Sequence, residues 1–149
     1  MSGITAIYKR DRRAAPAAML ERMTRALGHR GPDGINRWLE GPVGLGQCVL
    51  YTTPESLQER YPLADASGTC WIVWDGRLDN RADLLQRLRS EPFALGAETD
   101  PDLALAAYRV WGHRCAEHLL GEFAFVVWDQ RAHTLLGVRD RLGLKPFYY

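Results

Sequence analysis

The sequence predicts an α+β fold in which antiparallel sheets carry helices on their outer faces. Two observations predict it. Strand-like runs frame a middle section that holds the helices, and neither regular βαβ alternation nor an all-β pattern is present. The length of 149 residues is that of one ordinary domain, and a chain of that size buries roughly two-thirds of its unfolded surface.

The first strand covers about residues 2–8, where Ile4, Ala6 and Tyr8 alternate with Thr5 and Ile7. "KRDRR" ends it, and "AAPAAMLERMTRALG" reads as a helix with Met19, Leu20, Met23, Ala26 and Leu27 at helical spacing and Gly28 as its stop. "HRGPDG" is a loop punctuated by Gly and Pro. "INRWLE" and "VGLGQCVL" form a hairpin across "GP". Residues 51–69 read as irregular, with Pro54 and Pro62. "TCWIVWDG" is the strongest strand, rich in β-branched and aromatic residues and closed by Gly76. "NRADLLQRLRS" is a short amphipathic helix with Asn80 as its cap. In "TDPDLALAAYRVWG", Thr99 or Asp100 caps a helix that Pro101 opens and Gly112 ends. "RCAEHLLG" is a further short helical piece. "EFAFVVWD" and "TLLGVRD" form a second hairpin, and "RLGLKPFYY" starts another strand.

Composition excludes several classes. Hydrophobic content of 46 % and charged content of 25 % are globular, and a net charge of +1 offers nothing to nucleic acid or an anionic membrane. Three cysteines without CxxC spacing, Cys48, Cys70 and Cys115, argue against a disulfide framework and a zinc site. No apolar run approaches a membrane span and no signal-peptide pattern opens the chain, so a cytoplasmic setting is expected. His29, His113, His118 and His133 form no ligand set, and no metal site is expected.

Ser2 directly follows the initiator Met on a strand that begins at once. After Met removal, a serine hydroxyl there is a nucleophile with its own α-amine as general base. A small second residue is also what Met trimming favours, and eight residues leave both readings standing.

"MSGI", "HRGPDG", "WDGRLDNRADL" and "LLGEFAFVVWD…RDRLGLKPFYY", in this order, resemble the N-terminal class II glutamine amidotransferase domain of the asparagine synthetase family. The resemblance spans residues 1–149 as a single domain. It implies an Ntn-hydrolase four-layer sandwich, two antiparallel sheets between helices, here expected to lack its last strands. The wording of "DGRLDNRADL" looks closest to the lasso-peptide cyclase branch. In active members the mature N-terminal residue is a cysteine that attacks the glutamine amide, and ammonia passes to an ATP-binding synthetase domain. This chain departs from that pattern. Ser2 stands at the nucleophile position. The oxyanion-hole Asn and Gly correspond to Asp75 and Gly76, and loss of an Asn donor costs about 3–4 kcal/mol in a hydrolase barrier. The Glu that helps hold the substrate amine becomes Arg77. The Arg that clamps the substrate carboxylate becomes Val49. Asp100 matches the family Asp that receives the amine.

The resemblance therefore implies a retained scaffold without glutaminase activity, accessory to an amide- or isopeptide-forming synthetase. Its alternatives are a glutaminase working through Ser2 and a peptide-binding module. No cofactor is expected in this domain, with ATP and Mg confined to the synthetase domain. The partners it implies are that synthetase domain, in cis or as a separate chain, a peptide substrate, and a second copy of the chain. Arg30 and Asp33 read equally as pocket residues or as shapers of their loop.

Overall fold

The structure, a computed structural model, describes residues 2–52, 55–91 and 96–149. Pro54 lies outside the described residues. Among the described residues, seven strands form two antiparallel sheets. The first holds β1 (Gly3–Tyr8), β2 (Gly34–Glu40) and β3 (Val43–Val49) in the order β1-β3-β2. The second holds β4 (Leu63–Ala64), β5 (Cys70–Leu78), β6 (Gly121–Asp129) and β7 (Thr134–Arg139) in sequential order. The hairpins fall where the turn residues place them, at "GP" between β2 and β3 and at "QRAH" between β6 and β7.

The sheets meet face to face through Val43 and Leu45 of β3, Val73 of β5, and Val126 and Trp128 of β6. Trp38 stacks on Trp71 across this seam at 4.5 Å. On the outer side of the first sheet lies α1 (Ala17–Ala26). The Thr5 and Thr24 hydroxyls are 3.1 Å apart there, and the Cys48 thiol donates to the Thr24 carbonyl at 3.0 Å. On the outer side of the second sheet lie α2 (Arg81–Leu88) and α3 (Asp100–Trp111). Their Leu84, Leu88, Leu103 and Ala107 pack on Ile72, Trp74, Phe123, Phe125 and Val127. The result is the expected sandwich of two sheets between helices. Both faces of β6 are covered, which explains why "EFAFVVWD" is apolar without alternation.

The α3 helix begins with a capping box. The Asp102 carboxylate accepts from the Thr99 N–H and hydroxyl, and Gly112 ends the helix at φ 58°. Other local expectations are corrected. The buried stripe of α1 is Leu20 and Thr24, while Met19 and Met23 are exposed, because the helix turns its i, i+4 pair to the sheet. Asn80 precedes α2 but does not cap it. Its side chain donates to the His118 carbonyl and accepts from Leu120 N–H, each at 3.0 Å, tying the start of α2 to the entry of β6. Gly76 does not close β5, which runs on to Leu78. A Cβ at Gly76 would lie 2.2 Å from the Glu122 carbonyl oxygen, so glycine permits the close approach of β6. Residues 141–149 are not a strand. The buried Asp140 carboxylate instead turns the chain by accepting from Leu144 and Lys145 N–H at 2.8 and 2.9 Å. Among the described residues, no helix is long and apolar enough to cross a membrane.

Candidate functional site

Ser2 sits at the mouth of the sheet seam. Pairing of Gly3 with Cys48 brings it beside the end of β3, where Leu50 N–H donates to Ser2 Oγ at 3.3 Å. Asp75 lies on β5 two residues beyond Val73, on the face turned to the first sheet. Ser2 N donates to Asp75 Oδ1 at 2.9 Å. A single hydrogen bond thus joins the two sheets at the sequence-predicted nucleophile and oxyanion positions.

Two motifs deliver cations to the same carboxylate. In "HRGPDG", Gly31 packs against β3 so tightly that a Cβ would fall 2.3 Å from the Cys48 carbonyl carbon. Asp33 N–H donates to the Val49 carbonyl at 3.0 Å, and Asp33 Oδ2 accepts from Tyr51 N–H at 2.8 Å. Asp33 therefore shapes its loop. The docked loop holds Arg30, whose Nε donates to the Ser2 carbonyl at 3.2 Å and whose Nη2 reaches Asp75 Oδ2 at 3.4 Å. In "RDRLGLKPFYY", the Asp140 turn aims Lys145 inward, with Nζ 3.7 Å from Asp75 Oδ1. Burial pushes the Asp140 carboxyl up, but backbone donors from Lys145, Leu144, Leu142 and Gly143 outweigh it and hold the group below the ordinary aspartate range.

The remaining predicted positions stand apart from this cluster. Gly76 follows Asp75 in the strand and is packed on β6. Val49 is buried in the core on the helix-covered side, with Tyr61 and Ile72 among that cluster. Arg77 is exposed, donating to Asp79 Oδ1 at 3.0 Å and lying 3.7 Å from Glu122. Asp100 is engaged on both oxygens: Leu78 N–H donates to Oδ2 at 2.8 Å, and Arg81 bonds Oδ1 while also donating to the Glu98 carbonyl at 2.8 Å. Arg81 and Lys145 had no signal of their own in the sequence, and Lys145 was visible only as part of its motif. Gln47 was likewise unmarked. It is buried and clasps the Trp74 backbone, with Nε2 donating to the carbonyl at 2.8 Å and Oε1 accepting from the N–H at 3.0 Å.

No thiol stands in for the missing cysteine. Burial raises the Cys48 pKa and pushes Cys70 and Cys115 up to about 11, which disfavours the thiolate. Among the described residues no group of His, Cys, Asp and Glu side chains is arranged to hold a metal ion.

Residues 1–149 match the glutamine amidotransferase domain family. The chain belongs to that family. The amidotransferase domain is 38 % identical over 132 residues to asparagine synthetase [glutamine-hydrolyzing] 3 of Bacillus subtilis, a match covering 87 % of this chain and 21 % of the relative. It is 30 % identical over 152 residues to asparagine synthetase [glutamine-hydrolyzing] 1 of the same organism, covering 100 % of this chain and 24 % of the relative. The domain therefore spans under a quarter of the length of these relatives. Glutamine phosphoribosylpyrophosphate amidotransferase from B. subtilis shares the fold with a TM-score of 0.63 at 15 % identity, over 87 % of this chain and 35 % of that one. Family and fold agree: this is a glutamine amidotransferase domain, similar in sequence to these asparagine synthetases and in fold to that amidotransferase.

Proposed function

We propose that this domain does not hydrolyse glutamine and serves as a structural, accessory domain to an ATP-dependent synthetase that forms an amide or isopeptide bond. The observation that carries this reading is the Asp75 carboxylate, which accepts from Ser2 N and lies between Arg30 and Lys145. An ionised carboxylate is an acceptor only, so it offers no proton to a developing oxyanion. Its effect on the nucleophile is also adverse. With Met1 removed, Ser2 N is the α-amine, and a carboxylate partner favours its protonated form. A protonated amine cannot take the proton of the Ser2 hydroxyl, and an unactivated hydroxyl attacks an amide poorly.

The substrate-binding positions support the same reading. Val49 presents no donor to a carboxylate and is sealed in the core. Asp100 already has Arg81 as its cation, where a substrate amine would need a free carboxylate. Arg77 faces solvent and pairs with Asp79 and Glu122. The "DGRLDNRADL" segment favours an isopeptide-forming synthetase of the cyclase type as the partner.

The test is glutamate release from glutamine by protein whose N-terminus is verified as Ser2. The expected result is a rate equal to that of Ser2→Ala. Release that Ser2→Ala abolishes would overturn the proposal and establish Ser2 as a working nucleophile.

A further inference from the structure

Both ends of α2 are fastened to one residue, His118, which closes a short 3-10 helix (Gly112–His118) between α3 and β6. At the first turn, Asn80 Nδ2 donates to the His118 carbonyl at 3.0 Å. At the last turn, Arg87 Nη2 lies 3.0 Å from His118 Nδ1. The two side chains share an aromatic neighbour. The imidazole stacks on Trp111 at 4.0 Å, and the Arg87 guanidinium carbon lies 4.9 Å from the centre of the Trp111 ring. A guanidinium donates and never accepts, so His118 Nδ1 is the acceptor of that hydrogen bond. An acceptor nitrogen carries no proton, so the ring in this contact is neutral, with its proton on Nε2.

We propose that His118 is a pH-operated latch on α2. The neutral ring holds the last turn through Arg87, and protonation at Nδ1 releases it, while the Asn80 bond to the carbonyl keeps the first turn in place. Protonation removes the lone pair that Arg87 Nη2 uses and sets an imidazolium against a guanidinium over one indole ring. An imidazole makes this change between about pH 8 and 5. The surrounding charges are already committed. On the 3-10 helix, the neighbouring Glu117 spends both oxygens on Arg114, at 2.9 and 2.7 Å, and His113 is exposed. On α3, Arg109 pairs with Asp65, and Asp100 and Asp102 lie in the first turn, at the far end from Trp111. On α2, Arg81 and Arg89 pair with Asp100 and Glu98. Asp83, one turn before Arg87, offers the freed guanidinium a counter-charge. On β7, which packs on the 3-10 helix, the one charged residue is Arg139, on the inward face with Leu135.

The test is amide hydrogen exchange of this chain by NMR at about pH 8 and 5, with each rate divided by its intrinsic value. Arg89 N–H, which donates to the Leu85 carbonyl, reports the last turn of α2, and Leu84 N–H, which donates to the Asn80 carbonyl, reports the first. Arg89 should lose protection about threefold or more on acidification while Leu84 keeps its own. His118→Asn places a non-titrating amide close to the Nδ1 position, and Arg87→Met removes the donor. Either variant should leave Arg89 protection independent of pH, and His113→Asn should behave as the parent does. Constant Arg89 protection in the parent would overturn the proposal, as would a pH response that survives either variant. Equal loss at Leu84 and Arg89 would also overturn it, since α2 would then loosen as a unit. Glutamate release decides the proposed function separately, because the latch lies on the helix-covered side of the second sheet and shares no residue with the Ser2 cluster.

Discussion

Asp75 and Asp140 are both nearly sealed from solvent, at 6 % and 3 % exposure, and they are satisfied in opposite ways. Asp140 accepts from backbone N–H groups at one tight turn, and its own carbonyl closes that turn by accepting from Gly143 N–H at 3.0 Å. Asp75 gathers partners from distant parts of the chain: Ser2 from β1, Arg30 from the loop after α1, and Lys145 from the last turn. The first kind of aspartate is a local device that a short motif encodes. The second is a tertiary junction, and its partners become visible only once the sheets are stacked.

The largest effect should come from the junction. Asp75→Asn keeps an oxygen for Ser2 N but removes the buried negative charge that Arg30 and Lys145 share. Breaking a buried pair in this way costs about 3 kcal/mol, more than the same substitution at a surface ion pair. Urea unfolding should show a lower midpoint with an unchanged slope. A loss below about 0.5 kcal/mol would show that Asp75 is an exposed-type pair and would erase the distinction from Asp140.

Asp140→Asn should cost somewhat less, about 2 kcal/mol, because the amide retains one of two acceptor oxygens and loses charge assistance. The pH dependence sharpens the contrast. The Asp140 carboxyl lies below its ordinary range when folded, so its contribution is complete above about pH 4 and is lost as the pH falls through the folded value. Asp140→Asn should therefore flatten the acid limb of the stability profile. An acid limb as steep as that of the parent would contradict this assignment.

These two residues also mark how far the sequence could be read. Element types were legible where periodicity and end signals agreed, as in α3, where Thr99, Pro101 and Gly112 all point to the same helix. The two hairpins were legible for the same reason. The reading failed where a tertiary contact overrode a local signal. Gly76 looks like a strand end, yet it is required by the approach of Glu122 and Phe123 from β6. Asn80 looks like a cap, yet the chain before β6 takes both ends of its amide. "KPFYY" looks like a strand, yet the Asp140 turn holds it in an irregular path. In the site, Ser2 and Asp75 were readable as positions because the family resemblance supplied the correspondence. Arg81 on Asp100 was not, since 19 residues separate a pair that only the packing of α2 against α3 brings together.

The finest test asks whether the local device and the junction are one unit. Lys145 is the link, since its backbone N–H bonds Asp140 Oδ2 while its ammonium lies 3.7 Å from Asp75 Oδ1. Lys145→Met preserves most of the aliphatic stem and keeps the backbone donor, so alone it should cost about 1 kcal/mol, the value of one longer-range ion pair in a partly dry site. If Asp140 acts on the junction only by aiming Lys145, the double variant Asp140→Asn/Lys145→Met should be less destabilised than the sum of its parts by about 0.5–1 kcal/mol. Strict additivity in the unfolding free energies would mean that the turn and the ion cluster are independent, with Lys145 reaching Asp75 whether or not Asp140 holds its backbone. Coupling would mean that the turn in "RDRLGLKPFYY" positions Lys145 against Asp75 and so supports the contact of the two sheets at Ser2.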